Sequence, residues 1–151
     1  MASSPMKLWR SPTSEALRTL PLWLAAAWWG SLTTLGFFVV PMLFAVLPSP
    51  AIAGGMAARL FSVQTYVSVV CGLVLLAALW SKWPAGRIDI AQAAMIYIAV
   101  GVLLALLVEL VVAPKIISRD NIALWHRVGS MMYLGQWLCA SLVFGRLARQ
   151  R

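Results

Sequence analysis

Groups that perform chemistry are scarce in this chain. Its 151 residues include four acidic side chains, one histidine and two cysteines, and charged residues make up 11% of the whole, against about 25% in soluble domains. The sequence therefore offers no pair of carboxylates for acid–base catalysis, no nucleophile beside a base and no glycine-rich phosphate loop. Cys71 and Cys139 have no metal-ligand neighbour at a useful spacing. We expect neither an enzyme nor a dedicated metal centre.

Apolar residues are abundant instead. The hydrophobic fraction is 62%, which is typical of an integral membrane protein and leaves no room for a soluble module. The formal net charge is +8, but the basic residues lie in short clusters between apolar runs rather than on one periodic face. That pattern indicates membrane topology, and it argues against nucleic-acid binding.

Four apolar runs are long enough to cross a bilayer. They lie at about 21–47, 56–80, 90–113 and 122–144. Residues 48–55 form a tight turn in this interpretation. The polar and basic segment 1–19 is predicted to be a flexible cytoplasmic arm, and Lys7, Arg10 and Arg18 in it suit an anionic lipid surface. The expected fold is an all-α bundle of four transmembrane helices within residues 20–151.

The basic residues also indicate an orientation. Arg59, Lys115, Arg119 and Arg127, four of the 12, fall on the side of the membrane opposite the termini. Since the cytoplasmic side carries the excess of Lys and Arg, both termini are predicted to be cytoplasmic.

Small and weakly polar residues mark positions for helix packing. The first span carries such a stripe in its middle, formed by Gly30, Ser31, Thr33, Thr34 and Gly36. Small side chains let helix backbones approach closely, so this stripe is predicted to face the other helices. Gln136, near the middle of the fourth span, is expected to form an interhelical hydrogen bond.

Prolines occur late in the first and third spans. Pro41 removes the hydrogen bond to the carbonyl of Phe37, so a kink is predicted there, and Pro114 is expected to close the third span.

Glu109 is the acid that the topology places inside a span. It lies five residues before Pro114, about 7 Å inside the end of its helix. The same topology brings a set of polar side chains to the same end of the bundle, and these are its candidate partners: Arg59, Gln64, His126 and Arg127. An uncompensated charge at that depth is costly, so Glu109 is expected to pair with an arginine.

Three interpretations of this end of the bundle stay open. The cluster is a structural ion-pair network that ties helix ends together, or it is a site at the outer face for a small ion, metal or proton. The third alternative is haem binding, in which His126, the single histidine, takes one axial position and a methionine such as Met42, Met131 or Met132 the other.

The chain resembles a known family, the small four-helix membrane proteins grouped as domain of unknown function 4149, which are similar to transmembrane protein 205. The resemblance covers nearly the whole chain and rests on residues 36–44 (GFFVVPMLF), Gly54 and Gly55 followed by 59–61 (RLF), Pro114, and 124–130 (LWHRVGS). It implies a four-helix bundle with an unassigned function. A more distant similarity to the copper-resistance D membrane proteins implies metal or haem handling, for which only His126 is present here.

The leading hypothesis is a small non-enzymatic protein of the bacterial inner membrane. The chain is predicted to act as an accessory subunit, or as an assembly or stabilising factor, of a larger membrane complex. Its expected partners are the lipid bilayer and either another membrane protein or further copies of itself. No cofactor is required for this role.

Overall fold

The computed structural model describes the backbone of residues 12–80 and 88–149, and the side chains of 19–80 and 92–149. Within these ranges the chain forms four long helices and no strand. Each contains a stretch long and apolar enough to cross a membrane: Thr19–Val46, Pro50–Trp80, Gln92–Ile117 and Ile122–Ala148. The predicted all-α, four-helix membrane architecture is confirmed. Most of the predicted arm, residues 1–11, lies outside the described residues.

The first and third of these helices, α1 and α3, are each interrupted by a wider turn. Helix α1 runs Pro12–Thr34, passes through a π-helical turn at Leu35–Val39 and continues as Val40–Val46. Helix α3 has the same plan, with Ile88–Leu107, a π-helical turn at Val108–Val112 and a last segment Ala113–Ile117. The third helix therefore passes through Pro114, where the sequence indicated an end.

Helices α2 and α4 are continuous. Helix α2 spans Pro50–Trp80 and begins six residues before the predicted start, because Ser49 caps it: Ser49 Oγ accepts a hydrogen bond from the backbone N–H of Ile52 at 3.3 Å. Pro50 then occupies the first helical position, where a missing N–H costs nothing. Helix α4 spans Ile122–Ala148 and is capped by Asn121, whose side chain accepts from the N–H of Leu124.

The helices form a ring in which each packs against its neighbours in sequence, and α4 closes the ring against α1. Neighbouring helices are antiparallel, because the residues in contact come in opposite order along the two helices. Between α2 and α3, Ser62 meets Glu109 while Gly72 meets Val102. The same holds for two further pairs: Val112 with Gly129, Leu104 with Gly135 and Tyr97 with Arg146 between α3 and α4, and Leu32 with Tyr133 and Trp29 with Phe144 between α1 and α4.

This antiparallel order gives the bundle two distinct ends. One end, called here the terminal face, holds the start of α1, the end of α2, the start of α3 and the end of α4. The other end, the loop face, carries the two short connections 47–49 and 118–121. The structure thus brings the first and last helical segments to one face, as an even number of spans requires.

The apolar core lies in the half of the bundle near the terminal face. Its largest fully buried side chains are Trp28, Leu32, Leu75, Ile98 and Val143. Glycine allows the closest approaches there: a Cβ on Gly101 would lie 2.8 Å from Cη2 of Trp28, and one on Gly72 would overlap Val102. The small residues therefore fix how near the helices come.

Candidate functional site

Glu109 accepts its hydrogen bonds from Ser62. The Ser62 hydroxyl lies 2.8 Å from Oε1 and 3.1 Å from Oε2, and it reaches across from α2 to α3. Both side chains are half-buried. Glu109 stands in the first turn of the π-helical segment, on the side of α3 that packs against α2. The acid is therefore held between two helices by a neutral donor.

The expected ion pair between Glu109 and an arginine is not found among the described residues, whose ion pair is Lys115 with Asp120 at 3.1 Å on the exposed loop face. Arg59 is exposed, three residues before Ser62 and so about 4.5 Å nearer the loop face. Arg127 is exposed as well. It lies two residues, about 200° of helical rotation, from Gly129, which packs against Val112 of α3. Within the described residues neither arginine forms a hydrogen bond or an ion pair with Glu109.

Gln64 belongs to a separate layer deeper in the bundle. Its Nε2 donates to Ser31 Oγ on α1 at 3.0 Å and lies 3.4 Å from Ser68 Oγ on its own helix. Gln136 on α4 donates from Nε2 to the same Ser68 Oγ at 2.7 Å, so its predicted interhelical hydrogen bond is confirmed. Ser68 in turn donates to the carbonyl of Gln64 at 2.9 Å. These four side chains connect α1, α2 and α4 and are called the polar layer here: Ser31, Gln64, Ser68 and Gln136.

The sequence singles out Gln64, Gln136 and, as a member of the small-residue stripe of the first span, Ser31, but not Ser68, which joins the two glutamines. Ser62 was likewise not predicted as the partner of Glu109, because serine is common in membrane helices and carries no signal of its own. The spacing of Gln64 and Ser68, four residues apart on one helix face, was the signal available for the polar layer.

A second set of bonds joins α1 to α4 beside the polar layer. Tyr133 donates its hydroxyl proton to the carbonyl of Leu32 at 2.7 Å, and Trp137 donates from Nε1 to Thr33 Oγ1 at 2.9 Å. Gly36 makes room for the tyrosine, since a Cβ there would lie 2.5 Å from Cε1 of Tyr133. Three members of the predicted packing stripe, Ser31, Thr33 and Gly36, thus face other helices.

The two remaining members of that stripe do not. Thr34 is exposed, and a Cβ on Gly30 would meet nothing within 4 Å. This face of α1 points away from the bundle.

Each π-helical turn accommodates the proline that follows it. The N–H of Val40 donates five residues back to Leu35, and the N–H of Ala113 donates five residues back to Val108. The next residue in each case is a proline, which has no N–H to donate. Pro41 and Pro114 therefore cannot donate to the carbonyls five residues back, which are those of Gly36 and Glu109. A π-helical turn is a frequent feature of functional sites in membrane and soluble helices.

His126 is exposed near the loop-face end of α4. Met131 and Met132 lie on the same helix, so neither can approach an iron from the side opposite His126, and Met42 is an exposed residue of α1. His126 with Met131 or Met132 therefore does not fit an axial ligand pair for haem within one chain, and the pairing of His126 with Met42 stays a prediction. In the described part of the chain, no three His, Cys, Asp or Glu side chains come together as metal ligands do.

The fold and these contacts define a four-helix integral membrane protein with a buried polar layer beside its apolar core. The sequence matches, over residues 23–123, the family described as a domain of unknown function (DUF4149), and the chain belongs to that family. The matched region begins within α1, contains α2 and α3 with Ser62 and Glu109, and stops just inside α4. No curated protein and no solved structure matches the chain. The similarities to transmembrane protein 205 and to the copper-resistance D proteins stay predictions.

Proposed function

We propose that this protein is a non-enzymatic accessory subunit, or an assembly or stabilising factor, of a larger complex in the bacterial inner membrane. The observation that supports the proposal is a pair of small-residue faces that the described residues do not use in packing against one another. Small residues in membrane helices allow close backbone contact, and association between helices depends on such contact.

The first of these faces lies on α1. Ala27 and Thr34 are exposed and flank Gly30, where a Cβ would meet nothing within 4 Å. By contrast, Gly72 and Gly101 are filled by side chains of the bundle itself. A partner helix that packs on the α1 face would meet the same kind of small surface that the internal contacts use.

The second face lies on the first three turns of α2. Ala51, Gly55 and Ala58 are exposed at intervals of four and three residues, and nothing lies within 4 Å of a Cβ on Gly55. Since residues at this spacing share one side of a helix, they present a continuous small-residue face toward the loop end of the bundle.

The hydrogen-bond partners of the polar side chains also support the proposed role. Gln64, Gln136, Ser68 and Tyr133 all bond to other groups of this chain. They serve the integrity of the bundle, which favours a structural role over catalysis. Both termini would be cytoplasmic, as the distribution of basic residues indicates.

The test is gentle solubilisation from native membranes, followed by sizing and identification of co-purifying proteins. Gly30→Leu and Gly55→Leu should each reduce the associated fraction, because a leucine side chain prevents close approach. Ala77→Leu is the matched control, since Ala77 is exposed among large side chains on α2. A wild-type chain that runs as a monomer and carries nothing with it would contradict the proposal.

A further inference from the structure

Two charged side chains near the loop face have no partner of opposite charge among the described residues. Arg59 on α2 is exposed and forms neither a hydrogen bond nor an ion pair there. Glu109 on α3 accepts its hydrogen bonds from the neutral hydroxyl of Ser62. Charged side chains within membrane spans almost always pair with a group of opposite charge. Both residues are therefore available to charges on a second chain.

The surface of α2 beside these charges consists of small residues. Ala51, Gly55 and Ala58 are exposed, and the same side of the helix continues to Ser62, because the intervals are four, three and four residues. These four positions are called the α2 face here. The exposed positions in the second half of α2 are mostly large instead, among them Val70, Leu73 and Trp80.

The last segment of α3 leaves the α2 face uncovered. After the π-helical turn at Val108–Val112, the segment Ala113–Ile117 packs against α4. No atom of the described chain lies within 4 Å of a Cβ on Gly55. A second helix can therefore approach α2 closely over about three turns, up to the contact between Ser62 and Glu109.

A second copy of this chain supplies both of the missing charges. Copies with the same orientation in the membrane are related by a two-fold axis along the membrane normal, so their α2 helices run parallel. Small residues four positions apart are the pattern that brings parallel membrane helices into close contact, and the α2 face contains two such pairs, Ala51 with Gly55 and Ala58 with Ser62.

A two-fold contact also matches the positions of the two charges. Every contact in it occurs twice, so an arginine that meets the acid of the other copy is accompanied by the reciprocal pair. Arg59 lies three residues, about 4.5 Å, from Ser62 along α2, and Ser62 holds Glu109. The long stem of an arginine side chain can cover this difference in level.

We propose that this protein forms a two-fold dimer through the α2 face, in which Arg59 of each copy binds Glu109 of the other. The inference rests on the proposed use of this face for association and assigns it to a second copy. The face around Gly30 on α1 stays available to a different protein. The two proposals fail separately, because Gly30→Leu in native membranes tests the α1 face, whereas the dimer is tested with this chain alone.

The first experiment measures energy transfer in phosphatidylcholine liposomes. The purified full chain carries a donor or an acceptor dye at its carboxyl terminus, and the ratio of protein to lipid is varied to obtain the Kd of the dimer. Arg59→Gln and Glu109→Gln should each raise this Kd about tenfold or more, because each removes both ion pairs. A wild-type chain that stays monomeric at every ratio would overturn the proposal.

A mixture of the two variants separates pairing between copies from pairing within one chain. Donor-labelled Arg59→Gln with acceptor-labelled Glu109→Gln retains one complete ion pair in the mixed dimer. Its Kd should be only about threefold above that of the wild type, and below that of either variant with itself. Circular dichroism confirms that both variants are folded. If the mixture of folded variants dimerises no more tightly than each variant alone, the two charges do not pair between copies and the proposal is wrong.

Cross-linking tests the α2 face with both charges in place. Ala58→Cys in native membranes is oxidised with copper phenanthroline and should yield a disulfide-linked dimer of this chain. Leu138→Cys is the matched control, since Leu138 is exposed on α4, diagonally opposite α2. The native Cys71 and Cys139 are buried, so the wild type should give no linked dimer. No cross-link at position 58, or equal cross-linking at positions 58 and 138, would overturn the proposed interface.

Discussion

Gln136 and Ser68 are joined by a 2.7 Å hydrogen bond between helices that stand diagonally opposite in the ring. Ser68 Oγ is also within 3.4 Å of the amide nitrogen of Gln64, so one hydroxyl serves both glutamines. Ser68→Ala would leave both amides short of a partner. We expect it to lower the free energy of unfolding by about 1–2 kcal/mol, measured by reversible unfolding in mixed micelles.

Ser141→Ala is the control for this prediction. Ser141 donates only to the carbonyl of Trp137 on its own helix, at 2.8 Å. Its loss breaks no contact between helices, so the cost should stay below about 0.5 kcal/mol. Equal effects of the two substitutions would show that the polar layer adds nothing beyond local helix bonding.

Gly36 and Tyr133 give a second prediction. A methyl group at Gly36 would lie 2.5 Å from Cε1 of Tyr133, and the tyrosine is held by its bond to the carbonyl of Leu32. Gly36→Ala should therefore destabilise the bundle by about 1–3 kcal/mol through overpacking. The melting temperature in detergent is the measurement.

Gly30→Ala is its matched control on the same helix. Nothing lies within 4 Å of a Cβ at Gly30, so the substitution meets no obstacle in the isolated chain. Alanine is the better helix former by about 0.5–1 kcal/mol, and the variant should be as stable as the wild type or slightly more stable. A loss of stability equal to that of Gly36→Ala would contradict the proposed packing.

The four membrane helices could be predicted from sequence because length and hydropathy alone define a span. The partners of Glu109 and Gln64 could not. In a membrane the buried and the lipid-facing sides of a helix are both apolar, so hydropathy does not reveal how each helix is rotated. Arg59 and Ser62 lie one turn apart on the same side of α2, so the choice of Ser62 over Arg59 depends on how far α2 and α3 are shifted along the bundle axis, which hydropathy does not reveal either.

The two prolines within the helices were also predictable only in part from the sequence. Pro41 and Pro114 could be recognised as disturbances of the hydrogen-bond ladder. Whether a helix kinks, ends or widens in response depends on the packing around it. In α3 the widened turn lets the helix continue past Pro114 to Ile117.

Two adjacent threonines provide a third prediction. Thr33 Oγ1 accepts a hydrogen bond from Nε1 of Trp137 at 2.9 Å, whereas Thr34 is exposed on the outer face of α1. Thr33→Val keeps the shape but removes the acceptor, and it should cost about 0.6–1.7 kcal/mol. Thr34→Val should be neutral, because valine suits a lipid-facing position. The measurement is the free energy of unfolding of both variants in mixed micelles. A similar loss of stability in each would contradict the hydrogen bond between Thr33 and Trp137.

Trp28 and Gly101 provide the fourth prediction, because they bring two diagonal helices close together in the apolar core. The Trp28 ring is fully buried, its Cη2 and Cζ2 atoms would stand 2.8 and 3.0 Å from a Cβ on Gly101, and its Nε1 has no hydrogen-bond partner. Gly101→Ala alone should cost about 1–3 kcal/mol. Trp28→Phe removes the outer ring and the unpaired N–H, so it opens the space that the new methyl group needs.

The double variant should therefore be more stable than the sum of the single effects predicts, with a coupling energy of at least about 1 kcal/mol. Gly145→Ala serves as the reference in both backgrounds, since no atom lies within 4 Å of a Cβ at that position, and its effect should be additive with Trp28→Phe. The four free energies of unfolding of the cycle are measured under one condition. If Gly101→Ala and Trp28→Phe add within about 0.5 kcal/mol, the indole ring does not rest on this glycine and the assigned core packing is wrong.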